Sequence, residues 1–424
     1  MQEELKVYPY RWVVLFSFMC VIAAQNMMWV TFAPITKAAA EFFKVSDIGI
    51  GFLSMIFMIT YIIVSIPASW VIDTYGLKVG VGIGAILTGV FGLTRGLFAA
   101  DYNLVLISQI GISLGQPFIS NAVTTLACRW FPVEDRATAS GVGILAGYLG
   151  VIFAMIETPY ITMHFGIEKM LLIYGIAALA CGLLFLIFGK ERPLTPPAYQ
   201  SEERSLALDG LKQIMKSRDF LLLLGIFLIG LGVFNGMETW IEDILKPRGF
   251  SMTQAGITGG VIVICGILGA IVIPMISDRK GKRRPIIIFS IAACIPGLIG
   301  ITFAANYLML LIAAGVFGFF MLGVGPLGFQ YGAEITYPAP EAASNGMLML
   351  AGQVTGILFI YGMDMFKNPI TGSMTLPLIA IIGLMVVNLI ITTMLHESKI
   401  INIGANGQVG GQPSVPMESQ RLSQ

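Results

Sequence analysis

A chain of 424 residues that is 56% hydrophobic and 12% charged, with a mean hydropathy of +0.84, is not a water-soluble globule. Soluble domains carry about 25% charged residues and keep a largely polar exterior, so lipid must solvate much of this chain. The net charge of +1 gives no reason to expect nucleic acid as a partner, and the five cysteines, scattered through apolar runs without CxxC spacing, read as buried reduced thiols.

Crossing ~30 Å of hydrocarbon takes about 20 apolar residues in a helix. In chain order such stretches fall at 12–36, 48–72, 79–100 (with Arg95), 102–128, 137–163 (with Glu157) and 170–189. They continue at 220–245 (with Glu238), 249–277, two within 285–333 divided at 304–307, 342–363 and 368–395, which makes twelve. Backbone polar groups must be paired inside lipid, so these are helices. The first is too long for a signal peptide and has no small-residue cleavage site after it, so it stays as helix one. With both termini on one side, that side holds 18 basic residues against 7 on the other, which predicts cytoplasmic termini in a plasma or inner membrane.

Residues 190–219, with three prolines and a run of charges, read as a cytoplasmic linker containing a short amphipathic helix at 205–216; residues 398–424 read as a disordered cytoplasmic tail. The expected units are therefore 1–189, a six-helix half; 190–219, the linker; 220–397, a second six-helix half; and 398–424. A repeat supports the division. Asp73, Gly76 and Lys78 recur 205 residues later as Asp278, Gly281 and Arg283, and Ser-Gly-Val-Gly-Ile-Leu-Ala-Gly (140–147) lies over Asn-Gly-Met-Leu-Met-Leu-Ala-Gly (345–352) at the same offset. The fold class is all-α, with twelve transmembrane helices in two parallel, pseudo-symmetric halves.

Both motif copies fall in cytoplasmic loops, after the second and eighth spans. The aspartate ends one helix, the glycine permits a tight turn, and the cation starts the next helix. A carboxylate there can cap a neighbouring helix N-terminus, and the cations can pair across the halves, holding the cytoplasmic ends together in one state of the molecule. Here the chain resembles the major facilitator superfamily, whose loop signature is Gly-x-x-x-Asp-x-x-Gly-x-(Arg/Lys). Ser69 and Pro274 stand at the leading glycine positions. The stretch Arg-Trp-Phe-Pro-Val-Glu-Asp-Arg (129–136), with Pro132, Glu134 and Arg136, resembles that family's loop between spans four and five. The resemblance implies alternating access, with two halves rocking about a site near the midplane. The family's antiport signature in span five and its arginine in span four are not evident.

Polar and aromatic residues at mid-depth are the substrate-site candidates, because polar groups in lipid are costly unless they face a cavity or a partner. Trp29 lies ~27 Å along its helix from Arg11. It reads as an interfacial anchor or as a cavity wall, and its counterpart at the 205 offset, Phe234, favours the cavity. Span four offers Gln116, span seven Asn235 and Glu238, and span eleven Gln353, whose repeat partner is Tyr148. An amide can also simply bond a neighbouring helix. These positions resemble the feline leukaemia virus subgroup C receptor-related family of choline and haem transporters, which implies choline binding through Trp29, Gln116 and Gln353. That family's span-seven tyrosine falls at Asn235 here.

Within the outer leaflet, Arg95 faces Glu157, Glu238, Glu242, Asp243 and Asp364, a negative balance that suits a cationic or zwitterionic solute. Glu242 and Asp243 read as solvated helix ends, and Arg95 as the structural partner of Glu157 or Asp364. Glu238 is the functional carboxylate, able to carry a coupling proton. With two isolated histidines and no phosphate loop, an enzyme is not expected. The expectation is a monomeric secondary-active or facilitative transporter of a choline- or ethanolamine-like amine, with no metal or cofactor and with proton or sodium as the coupling ion, if any. An organic-anion carrier and a non-transporting receptor or scaffold remain as alternatives.

Overall fold

The computed structural model describes residues 7–132, 135–193, 195, 214–336 and 341–397. Glu134, most of the linker including 205–213 of the helix expected at 205–216, and the tail from 398 lie outside the described residues.

The apolar runs form helices. They are α1 (Arg11–Val30), α2 (Thr36–Phe43), α3 (Asp47–Tyr75), α4 (Leu77–Leu97), α5 (Tyr102–Ser120), α6 (Ala122–Trp130) and α7 (Arg136–Phe188). After the linker come α8 (Arg218–Thr239), α9 (Ile241–Leu245), α10 (Met252–Lys280), α11 (Arg284–Phe303), α12 (Tyr307–Thr336), α13 (Glu341–Met365) and α14 (Thr375–Thr393). Among the described residues, ten helical segments are long and apolar enough to cross a membrane. The 53-residue α7 bends at Gly166, where φ is 82°, so it crosses twice, and α5 with α6 makes one further crossing interrupted at Asn121. The architecture agrees with twelve spans. The last of them begins at Thr375, later than the 368 expected, because 366–374 turns back on itself through Asn368.

The 205-residue period governs backbone detail. Helices α3 and α10 start at Asp47 and Met252, α5 and α12 at Tyr102 and Tyr307, and α7 and α13 at Arg136 and Glu341. The turns before α3 and α10 are matched too: Lys44 and Gly249 are both left-handed caps, followed by extended Ser46 and Ser251. Within each half, glycines let helix backbones meet. Gly147 of α7 faces Asn26 of α1, and its repeat partner Gly352 of α13 faces Leu231 of α8, again a 205-residue pair. Close approach through small residues is the main packing device in lipid, where apolar burial gives helices no net attraction.

Candidate functional site

In the first span the regular helix stops at Val30, and Pro34 lies in a short 3-10 turn just beyond. The last turn is gripped from outside. Gln109 donates to the Met28 carbonyl at 3.4 Å and to the Leu53 carbonyl at 3.1 Å; Arg95 donates to Gln109 Oε1 at 2.8 Å and to the Met28 carbonyl at 3.3 Å. Arg95 and Gln109 are fully buried. The pairing of Arg95 with Glu157 or Asp364 is thus corrected: its donors go to an amide, a carbonyl and the Met28 sulfur, and among the described residues it has no carboxylate partner. Glu157 lies within electrostatic reach of Tyr174, whose hydroxyl bonds Thr158 at 2.8 Å.

Next to this grip stands Trp29, half-buried, with its Nε1 buried and unbonded. Trp29 and Tyr148 both pack on the apolar core that contains Phe234. Tyr148 and Gln353 directly follow the matched glycines Gly147 and Gly352, so the two repeat pairs, Trp29 with Phe234 and Tyr148 with Gln353, occupy equivalent places in the two halves. Asn235 donates to the Gly352 carbonyl at 3.5 Å, tying α8 to the residue before Gln353. Glu238 shares a small cavity with Phe234, Met237, Gly259, Ile262 and Phe317, and Tyr148 of the other half is within electrostatic reach of it. At 6% exposure, Glu238 has neither carboxylate oxygen hydrogen-bonded. Gln116 Oε1 is likewise buried and unbonded. Among the described residues no hydrogen bond joins Trp29, Gln116 or Gln353 to one another or to Glu238. Nor do any three His, Cys, Asp or Glu side chains among them gather as metal ligands.

At the face away from the chain ends the halves are sealed. Lys37 pairs with Asp47 and lies 3.1 Å from Asp243, while Lys367 bonds both Asp47 and Asp243. Asp364 is within electrostatic reach of this cluster. Glu242 accepts the Lys37 backbone N–H at 2.7 Å, and Lys246 Nζ lies 3.4 Å from it. Glu242 and Asp243 are 1% and 0% exposed, so they are buried partners in this seal and not solvated helix ends. Lys37 and Lys367 also offset Asp47 and Asp243, so this face is less negative than Arg95 and the five carboxylates alone imply. Beneath the ions, Trp240 donates to the Ile360 carbonyl at 2.9 Å and presses on Gly51 of the other half; nearby, Met58 packs on Gly356 and Met155 on Gly259. Among the described residues the ion pairs joining the halves all lie at this far face, opposite the face where the described chain starts and stops at residues 7 and 397.

On the opposite face the duplicated motif bonds within each half. Gly76 (φ 102°) leaves no room for a side chain, because the Glu191 carboxylate sits where a Cβ would project; Glu191 accepts the N–H groups of Leu77 at 3.0 Å and Lys78 at 2.7 Å and pairs with Arg129. In the second half Glu397 accepts the N–H groups of Arg283 at 2.7 Å and Arg284 at 3.2 Å, and the Arg283 side chain pairs with Asp278 and, at 3.0 Å, with Glu334. Sequence reasoning gave the capping role to the motif aspartates, but glutamates from the end of each half perform it. The signal was available: Glu191 and Glu397 each follow the last helix of their half, 206 residues apart. Gly281 supplies the left-handed cap of α10 (φ 58°), Asp73 and Lys78 are exposed, and Arg136 donates to the Phe131 carbonyl at 3.3 Å.

Paired six-helix halves, matched turns and duplicated loop motifs agree with a family comparison in which residues 14–360 match the Major Facilitator Superfamily model. The chain belongs to that superfamily. It is 31% identical over 383 residues to solute carrier family 49 member A3 of Danio rerio, covering 86% of this chain and 80% of that protein. It is 28% identical over 377 residues to the choline/ethanolamine transporter FLVCR2 of Homo sapiens, covering 84% of this chain and 72% of that protein. Among solved structures, a bacterial homologue of the human lysosomal transporter Spinster, inward-facing and unoccupied, superposes with a TM-score of 0.73 at 15% identity, covering 91% of this chain and 97% of that one. As a member of the superfamily, the chain is a multi-pass membrane transporter of small-molecule substrates.

Proposed function

We propose that this transporter carries a small cationic or zwitterionic amine of the choline or ethanolamine class by alternating access, and that Trp29, Gln116, Tyr148, Phe234, Asn235, Glu238 and Gln353 bind it. The observation that carries this reading is a set of unmet polar atoms. Buried polar groups are almost always hydrogen-bonded, yet Trp29 Nε1, Gln116 Oε1 and both oxygens of Glu238 are buried and unbonded. An unpaired buried carboxylate next to aromatic rings suits a quaternary or primary ammonium, which gains both charge and ring-face attraction. The similarity to human FLVCR2, a choline/ethanolamine transporter, supports the substrate class. The same carboxylate is the candidate site for a coupling proton. Arg95 speaks against an organic-anion carrier, because both of its Nη groups already serve Gln109 and Met28 and only Nε is left unbonded.

The proposal includes a topology: cytoplasmic chain ends in a plasma or inner membrane, six-helix halves at 1–189 and 220–397, and a cavity open to the cytoplasm in this state. The duplicated motifs with Asp73, Asp278 and Arg136 then bias the opening equilibrium. Uptake of radiolabelled choline into proteoliposomes tests the function. Uptake that Trp29→Ala removes is expected. Binding without flux would turn the reading to a receptor, and neither binding nor flux would remove the amine.

A further inference from the structure

The grip on the end of α1 is built from groups that bracing alone does not require. Burying a guanidinium carries a desolvation cost that a well-packed apolar side chain of similar volume avoids. Arg95 and Gln109 are nonetheless both 0% exposed, and their donors converge on one carbonyl, that of Met28, which also accepts from Thr31 Oγ1 at 3.2 Å. Arg95 Nη2 lies 2.6 Å from the Met28 sulfur, and the guanidinium sits 5.7 Å from the centre of the Phe32 ring. The chain is therefore held immediately before Trp29 and again at Thr31 and Phe32, while the indole nitrogen of Trp29 bonds nothing.

We propose that Arg95 and Gln109 are positioning residues for Trp29: reaching from α4 and α5, they fix the rotation of the last turn of α1 and so the direction in which the indole face is presented. The inference rests on the reading of Trp29 as a wall of the substrate site. A side chain extends about 6 Å from its helix axis, so a turn of about 15° at the helix end moves the ring by about 1.5 Å. Binding geometry tolerates roughly 0.5 Å. Gln109 also holds the Leu53 carbonyl of α3, so the rotation is referenced to three neighbouring helices.

The test uses the full-length protein in detergent or nanodiscs, with Arg95→Met and Gln109→Met to remove the donors and Arg95→Lys to keep one. Without ligand, the emission of Trp29 is isolated by subtracting the spectrum of Trp29→Phe, in the wild-type and in the Arg95→Met background. The grip predicts a shifted maximum and altered acrylamide quenching for Trp29 in Arg95→Met. With choline as the probe, Arg95→Met should weaken binding about tenfold, Arg95→Lys much less, and Arg95→Met less than twofold when added to Trp29→Ala, the non-additivity expected of residues acting through one another. An unchanged Trp29 spectrum in variants that merely melt earlier, or fully additive binding losses, overturns the proposal. If the wild type binds no choline, the substrate reading fails while the emission measurement still decides the grip. If Arg95→Met does not fold, Gln109→Met carries the same comparisons.

Discussion

Lys37 and Glu242 are 205 positions apart and meet in one hydrogen bond, from the Lys37 backbone N–H to Glu242 Oε2 at 2.7 Å. Because 205 is the period of the repeat, two equivalent positions touch each other, and the pseudo-two-fold axis runs between them. The halves are thus joined on their axis at the far face. Asp47, Asp243 and Lys367, which have no charged counterparts in the opposite repeat, are added around that point. The symmetric contact centres the seal, and the asymmetric ions give it strength.

Removing one ion should open the seal. Lys367→Met leaves Asp243, which is 0% exposed, with Lys37 alone at 3.1 Å. Breaking a buried pair typically costs about 3–5 kcal/mol, and the molecule can avoid that cost by hydrating Asp243. The far face should therefore open. A cysteine at Ile156, which packs on Gly260 of the opposite half, should label several-fold faster with an impermeant maleimide from the far side in Lys367→Met, above the background of the native thiols.

Acid should close it. Glu242 follows the membrane-spanning part of α8, and burial pushes its carboxyl up to about 7, opposed by the Lys37 N–H and by Lys246, with Asp243 adding to the rise. When the seal opens and Glu242 meets water, its pKa returns toward about 4.3. Between those values the sealed state binds more protons, so lowering the pH from 7 to 5 favours the sealed state, and raising it through 7 removes that preference. The same labelling assay should slow on acidification, and Glu242→Gln should flatten the response.

The helix count, the two halves and the 205 period were legible because hydrophobic length and internal repetition are local or one-dimensional signals. Trp29, Gln116 and Glu238 could be singled out because a polar atom in a long uncharged run needs a reason to be there. Partners were harder. Arg95 was matched to carboxylates by charge, yet a guanidinium is equally well satisfied by an amide and a carbonyl, and nothing near Gln109 in the sequence marks it as the recipient. Glu242 and Asp243 looked solvated because they sit at a helix end, and only the packing of the opposite half buries them.

At the substrate site, Trp29→Ala should weaken choline binding by a factor of about 2–30, equivalent to about 0.5–2 kcal/mol for a ring face on a cation, and Trp29→Phe much less. Gln353→Ala should cost about fivefold, near 1 kcal/mol for one neutral hydrogen bond. Glu238→Gln should weaken choline more than it weakens a neutral analogue such as 3,3-dimethylbutanol. Equal losses for the two ligands would remove Glu238 as counter-ion. Titration calorimetry on purified protein gives all four values.

On the face opposite the seal, Asp73→Ala and Asp278→Ala should slow transport more than they weaken binding, because both lie far from the midplane and act on the conformational equilibrium. Glu191→Ala and Glu397→Ala should each lower thermal stability, since each leaves two helix N-terminal N–H groups without their carboxylate. Gly76→Ala should be worse than Glu191→Ala, combining a forbidden φ with a collision. Scanning fluorimetry with parallel flux measurements separates the two kinds of effect.

Glu191 and Glu397 have a mechanical consequence as well. Each ties the end of its half back to the start of that half's third span, so each six-helix bundle is braced along that edge. On the alternating-access proposal, each bundle would then turn as a stiff plate. While the seal stays shut, a pivot at the Lys37–Glu242 contact and an arm of ~40 Å to the opposite surface would turn a tilt of about 10° into a displacement of ~7 Å at that surface. Small rearrangements among a handful of lysines and carboxylates at one surface would in this way be geared into a larger movement at the other.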